Sequence, residues 1–259
     1  MSFVCALILV FYACKRESLS ETKSDETSQI RTRSGDTGWD YPVKPGMGEW
    51  NSLVTENERI AVLQVPEAVL ATLSPDDVVR LCITFPAFGH FGAWNTPQDG
   101  FNILLKRYNI LRHLLTRENV GEGLIAAYKD AGMTGFRTLP YSNLAWSVKL
   151  FYLELLLSQK EILQKMTPDE KLELITEARS KLFEKANNEA FASSPGILFT
   201  VRIMATILDI ERYPEFMGLA DRETAISFIE TGWYFGGVPS IDEIIRITEN
   251  YINAKNLQE

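Results

Sequence analysis

Two short segments of the chain combine aromatic side chains with glycines, and they are the first candidates for a binding site. Their candidate ligand-binding residues are Phe88, His90, Phe91, Trp94, Trp233 and Tyr234. Flat aromatic rings can stack on sugar rings or hold an apolar peptide. The same residues could instead pack between helices, with the glycines forming the corners of the chain. The sequence leaves both interpretations open.

Two charged residues lie inside apolar runs, where a charge is costly unless it is paired. Glu154 interrupts the leucine-rich run 150–157, and Arg202 interrupts the run 197–205. A buried carboxylate could act as a general acid or base. The interpretation that we favour is structural: Glu154 forms a buried charge pair with Arg202, Lys149 or another cation, or it reaches the surface.

The common catalytic and metal-binding motifs are missing from the sequence. It contains no G-x-S-x-G, H-E-x-x-H, C-x-x-C or G-x-x-x-x-G-K-[ST] pattern. Two histidines and three cysteines leave little material for a metal site. We therefore expect no catalytic residue, no cofactor and no metal. The alternative is an exported hydrolase that uses carboxylates such as Glu154, Asp209 or Glu211.

The charge balance argues against a nucleic-acid partner. The chain has 259 residues, with 26 Lys+Arg against 34 Asp+Glu, and its formal net charge is −8. A protein that binds the phosphate backbone would carry a basic excess or a dense basic stripe. At 46% hydrophobic and 23% charged residues, the composition is that of a globular protein.

The N-terminus has the features of a lipoprotein signal peptide. Residues 3–13 form an apolar run that has the length of a signal-peptide core and is too short to span a bilayer. The run ends in Phe11-Tyr12-Ala13-Cys14, which resembles a lipobox, although Phe11 and Tyr12 are unusual there. This predicts a signal peptide over 1–13, lipidation of Cys14, and export to the cell envelope, at the outer membrane or a periplasm-facing membrane. The alternatives are an ordinary secretory signal and a plain apolar patch.

Residues 14–38 are expected to form a flexible tether. Their only sizeable apolar side chains are Leu19 and Ile30, so the segment cannot bury enough surface to offset its ordering entropy. Residues 1–38 hold five basic and five acidic side chains, and the whole net charge of −8 lies on residues 39–259. We expect 39–259 to be a single folded domain.

This domain is predicted to be all-α, because its apolar residues recur at three-and-four spacing. Thr55, Ser74, Thr167 and Ser240 each precede acidic residues, which is typical of a capped helix start. The expected helices span residues 55–64, 66–73, 75–85, 97–115, 117–131, 141–165, 168–191, 195–210, 221–232 and 240–255. We expect an irregular array of about ten helices, with HEAT-like superhelical stacking as the alternative.

Part of the domain resembles a known group of proteins. The segments Tyr41–Trp50, Gln64–Leu70, Leu73–Asp77 and Phe85–Phe101 are similar to a group of exported all-helical proteins of Gram-negative bacteria. That group has a "YPV.PG...W" entry, a "(Q)IP..(I/V)L" segment and an aromatic "(Y/F)P" stretch that runs into "N....GF". The resemblance covers about residues 41–120 and implies an exported all-α protein. It carries no activity or catalytic residue.

These features together predict a lipid-anchored, non-enzymatic helical protein of the cell envelope. Its partners would be the membrane, through the anchor, and a protein, peptide or glycan, through the domain. The hydrolase is the second hypothesis, and paired carboxylates in a deep pocket would favour it. A structural role in an oligomer is the third.

Overall fold

The computed structural model describes residues 38–131, 142–187, 196–233 and 241–257, with backbone alone at 142–147. Cys14, Tyr234, Ser240 and nearly all of the predicted signal peptide and tether lie outside these ranges. The predictions for them therefore stay predictions. Within the described part, no helix is both long enough and apolar enough to cross a membrane.

The described residues form fourteen α-helices and one 3-10 helix, without a strand, which confirms the all-α prediction. The helices are α1 (Gly48–Ser52), α2 (Glu56–Val62), α3 (Glu67–Leu70), α4 (Pro75–Ile83), α5 (Pro97–Arg107), α6 (Asn109–Thr116), α7 (Gly121–Asp130), α8 (Ser142–Leu157), α9 (Lys160–Leu163), α10 (Pro168–Ala186), α11 (Gly196–Ile210), α12 (Pro214–Met217), α13 (Arg222–Thr231) and α14 (Ile241–Asn256). The 3-10 helix Phe88–Ala93 lies between α4 and α5.

Three of the predicted helix starts are capped as the sequence indicates. The side chains of Thr55, Ser74 and Thr167 each accept a hydrogen bond from the backbone N–H three residues later. In each case the acidic side chain at that third position accepts one from the N-cap backbone, which completes a capping box. These reciprocal bonds satisfy N–H groups that a helix start otherwise leaves unpaired.

The prediction of one helix over 97–115 is wrong, because the chain leaves the helical conformation at Tyr108 (φ −122°, ψ 124°). The side-chain amide of Gln64, from a distant part of the chain, bonds two of the backbone groups freed there. Gln64 donates to the carbonyl of Arg107 (2.9 Å) and accepts from the N–H of Asn109 (3.2 Å). Asn109 in turn bonds both the N–H and the carbonyl of Val65, at 3.0 and 2.7 Å. These hydrogen bonds hold the junction of α5 and α6 against the residues that follow α2.

The expected helix 141–165 is also two helices, α8 and α9. At the break, the Ser158 hydroxyl and the Gln159 amide both donate to the carbonyl of Leu155, at 3.0 and 2.6 Å. Side chains that bond a carbonyl of the preceding turn in this way compete with continuation of the helix.

Three short elements have no counterpart among the expected helices: α1, α12 and the 3-10 helix.

Helix α11 lies at the centre of the described fold. It packs against α8, α10, α13 and α14, and every residue from Phe199 to Leu208 is buried. A helix that is apolar on all sides needs neighbours on all sides. The buried apolar residues of the described part form one connected cluster around it. HEAT-like stacking remains a prediction.

Candidate binding site

The first aromatic segment is divided between the core and the surface. Phe91 is 5% exposed, and its ring lies 6.2 Å from that of Tyr152 on α8 and 6.0 Å from that of Phe199 on α11. Phe88 also packs on Tyr152, with ring centroids 5.6 Å apart. These two phenylalanines therefore pack the 3-10 helix against α8 and α11.

A close backbone approach fixes the 3-10 helix on α5. A Cβ atom placed on Gly100 would lie only 1.9 Å from the carbonyl oxygen of Phe91. No side chain fits there, so glycine allows the two backbones to touch.

His90 lies in the 3-10 helix, and Trp94 follows directly after it. His90 is exposed, and 41% of Trp94 is accessible to solvent. Trp94 has extended backbone (φ −115°, ψ 171°) and leads into Thr96, the N-cap of α5, whose hydroxyl accepts from the N–H of Asp99 at 3.0 Å. The tryptophan thus lies directly before the first turn of α5.

The second aromatic segment begins where α13 ends. Gly232 has left-handed backbone (φ +69°), and its N–H donates to the carbonyl of Phe228 at 2.8 Å. Glycine is the usual residue for such a helix end. Trp233 follows and is half-buried, with its N–H donating to the Thr231 hydroxyl at 3.1 Å.

The fold brings the two segments together at the first turn of α5. A Cβ atom on Gly232 would lie 3.4 Å from Cβ of Pro97, the first residue of that helix. Trp94 precedes Pro97 by three residues and Trp233 follows Gly232, so the backbone segments that carry the two tryptophans approach each other at this turn. Sequence analysis singled out both tryptophans and the glycine-containing segment that begins at Gly232, but it missed Pro97. The Thr96–Asp99 helix-start pattern is the signal that could have drawn attention to this turn.

Arg202 of α11 forms hydrogen bonds to both α13 and α5. Its Nε donates to the carbonyl of Ile229 on α13 at 2.8 Å, and its Nη2 donates to Oε1 of Gln98 on α5 at 2.5 Å. The residue is 3% exposed, and burial lowers the pKa of its guanidinium to about 10. Gln98 also exchanges amide hydrogen bonds with Gln159, at 3.0 and 3.2 Å.

The guanidinium of Arg202 is incompletely paired. Its third nitrogen, Nη1, is buried and has no hydrogen-bond partner, and no acidic side chain of the described residues lies within ion-pair distance of it. A Cβ atom on Gly232 would lie 3.2 Å from Nη1, so this side of the guanidinium faces a glycine rather than a side chain.

Glu154 is fully buried and pairs with Lys185 of α10, not with Arg202. Lys185 Nζ lies 2.7 Å from both carboxylate oxygens, and both side chains are 0% exposed. The hydroxyls of Tyr128 and Thr200 each lie 2.7 Å from Oε1. The lysine also donates to the carbonyl of Gly196 at 3.1 Å. The expected Glu154–Arg202 pair is therefore replaced by a closed network that joins α7, α8, α10 and α11.

The two other carboxylates of the hydrolase hypothesis also lie in ion pairs. Asp209 contacts Arg222 at 2.8 Å and Lys160 at 3.7 Å. Glu211 binds Lys171 and lies 3.8 Å from Lys255. Each pair ties the end of α11 to a neighbouring helix.

An open depression of about 320 Å³ lies between α7 and α10 and contains none of the candidate residues. Its lining residues are Lys129, Asp169, Leu172, Glu173, Thr176 and Glu177. In the described part of the chain, no group of His, Cys, Asp and Glu side chains is arranged to hold a metal ion.

Comparisons with protein-family models, curated proteins and solved structures give no match to this chain.

Proposed function

We propose that this protein is a lipid-anchored helical binding module of the cell envelope, without catalytic activity. Its ligand, a glycan, peptide or protein segment, would bind the surface around Trp94 and Trp233, which we call the tryptophan face. The observation that carries this proposal is the meeting of the two aromatic segments at the first turn of α5.

The tryptophan face has two properties of a binding surface. First, a large indole remains 41% exposed at Trp94, and tryptophan is enriched among the residues that dominate binding energies. Second, its support is rigid, because Phe88 and Phe91 anchor the preceding 3-10 helix in the core. A surface held in place before binding loses less entropy when a ligand arrives.

The environment of the carboxylates favours binding over hydrolysis. Glu154 is enclosed by Lys185, Tyr128 and Thr200, so its oxygens are already occupied by donors. Asp209 and Glu211 are engaged by cations of neighbouring helices. The hydrolase hypothesis needs a pair of carboxylates converging on a pocket, and these three residues instead join helices.

The binding proposal is tested by isothermal titration of the full-length protein with cell-wall glycans, plant glycans and peptides. Trp94→Ala should abolish the heat of binding with little change in melting temperature, because its indole is substantially exposed. Trp50→Ala on α1 is the matched control and should bind like the wild type. If no ligand gives heat, and Trp94→Ala only lowers the melting temperature, the proposal is wrong.

The anchor part of the proposal depends on Cys14. Each buried CH₂ of an attached acyl chain contributes about 0.8 kcal/mol, and two or more chains hold a domain stably at a bilayer. A tether of the length of residues 14–38 has a root-mean-square span of roughly 25–30 Å, enough to let the domain reach ligands near the surface. Palmitate labelling should vanish in Cys14→Ala and persist in the control Cys5→Ala. Labelling that persists in Cys14→Ala would contradict the anchor.

A further inference from the structure

We propose that the domain touches the bilayer surface through the apolar side chains of Met47, Trp50 and Val54, which we call the α1 contact. This inference rests on the lipid anchor proposed above and adds which face of the domain meets the membrane. It starts from a helix that adds nothing to the core, because no residue of α1 (Gly48–Ser52) is buried.

The α1 contact consists of apolar side chains that the fold leaves uncovered. Val54 is 85% exposed and Met47 is 40% exposed, whereas Trp50 is half-buried and packs partly against the core. Met47 and Trp50 are three residues apart at the start of α1 and share a side of it. Val54 follows directly after Leu53, the C-cap. Two of the five exposed large apolar side chains of the described residues thus lie within eight residues of chain.

Contacts from α2 hold these side chains in place. The N–H of Val54 donates to Oε2 of Glu58 at 2.8 Å. The guanidinium of Arg59 lies 5.9 Å from the centroid of the Trp50 ring and donates to the carbonyl of Leu53 at 3.1 Å. An indole next to a long cationic side chain is a combination favoured at the boundary between acyl chains and headgroups. A surface ordered in advance also loses less entropy on contact.

The α1 contact lies next to the point where the tether enters the domain. Tyr41 fixes this entry, because its ring is 2% exposed and its hydroxyl donates to the carbonyl of Leu81 at 3.1 Å. The chain then folds back: Lys44 donates to the carboxylate of Asp40, and its carbonyl accepts from the N–H of Met47 at 3.1 Å. A tether with a root-mean-square span of roughly 25–30 Å therefore keeps the α1 contact near an anchoring bilayer.

A lipid surface fits this contact better than a second copy of the chain. Three side chains expose far less than the ~600 Å² that each partner of a specific protein interface buries. A bilayer needs no such area, because the anchor already holds the domain at a high effective concentration beside it. The exposed carboxylates Glu49 and Glu56 lie in or next to this stretch of chain, so they favour zwitterionic over anionic headgroups.

The test uses the full-length lipidated protein on phosphatidylcholine vesicles that carry a nitroxide on their acyl chains. With 5-fluorotryptophan in the protein, broadening of the ¹⁹F resonances reports which indole lies nearest to the lipid. We expect the nitroxide to broaden the Trp50 resonance several-fold more than that of Trp94, although Trp94 is the more exposed of the two. Equal or stronger broadening of Trp94 would overturn the inference, as would broadening of Trp50 that requires added phosphatidylglycerol.

Variants at exposed positions test the contact without disturbing the core. Val54→Asp should reduce the broadening of Trp50 to the level of Trp94, because it places a charge against the acyl chains. Leu257→Asp is the matched control, since this leucine is 87% exposed at the end of α14, and it should leave the broadening unchanged. A Val54→Asp protein with wild-type broadening, or a Leu257→Asp protein that loses it, would refute the assignment.

The outcome also separates this inference from the proposed anchor. Palmitate labelling that vanishes in Cys14→Ala, together with an unbroadened Trp50 resonance on vesicles, would remove the α1 contact and keep the anchor. Labelling that persists in Cys14→Ala, with protein that does not attach to vesicles, would remove both.

Discussion

Removing the cation from the buried Lys185–Glu154 pair should destabilise the protein strongly. Lys185→Met keeps most of the side-chain volume but leaves the Glu154 carboxylate with only the hydroxyls of Tyr128 and Thr200. Loss of one partner from a buried ion pair costs about 3–5 kcal/mol. In a domain of this size that corresponds to a fall in melting temperature of roughly 6–20 °C.

The assay is urea unfolding followed by circular dichroism, for Lys185→Met, Glu154→Gln and the double variant. Because the double variant has neither charge, it should be more stable than the sum of the single losses predicts, by about 2 kcal/mol or more. Lys129→Met is the matched control. Its ion pair with Glu173 is close to half exposed on both sides, so we expect no resolvable change in the urea midpoint.

We expect the Lys185–Glu154 network to behave as a single energetic unit. Two single variants that each lose less than about 1 kcal/mol, with additive effects in the double variant, would refute it. So would a Lys129→Met variant that is as unstable as Lys185→Met, because burial would then not be the cause.

Three further predictions concern other parts of the fold. Gly100→Ala should lower the free energy of unfolding by about 3 kcal/mol, because the new Cβ would overpack against Phe91. Gly123→Ala is the control and should be tolerated, because its Cβ would have ordinary contacts. Thermal unfolding of the two variants measures the difference. Thr167→Ala should lose about 1 kcal/mol by removing the α10 cap, measured in urea, and an unchanged midpoint would contradict this. Burial raises the pKa of the Cys82 thiol. In a variant whose other two cysteines are replaced by serine, Cys82 should therefore react with a thiol reagent only after unfolding. Rapid labelling of the native protein would contradict its burial.

Local chemistry was predictable from the sequence where the interacting groups are close in the chain. The capping boxes at Thr55, Ser74 and Thr167 involve partners three residues away, so their pattern is visible in the printed sequence. The helix break at Tyr108 was not predictable in the same way. The turn at Tyr108 is satisfied by Gln64, and no local signal links two residues so distant in the chain.

The candidate site shows the same division. Sequence analysis identified Glu154 as a charge in an apolar run and considered pairing, but not its partner, because Lys185 lies on a helix rich in charged residues that resembles a surface helix. It also selected Arg202, but for the wrong contact. The observed contacts of Arg202 are with Gln98 and Ile229, which only tertiary packing brings to it.

The most direct test of the account is whether Trp94 and Trp233 respond to one ligand as one site. The five tryptophans can be labelled with 5-fluorotryptophan and assigned by single substitutions to phenylalanine. On titration of the full-length protein with a glycan or peptide that gives heat in the calorimetric test, the ¹⁹F resonances of Trp94 and Trp233 should shift together with one dissociation constant, while those of Trp39 and Trp50 stay in place. Shifts confined to Trp39 or Trp50, or different dissociation constants for Trp94 and Trp233, would contradict a shared tryptophan face.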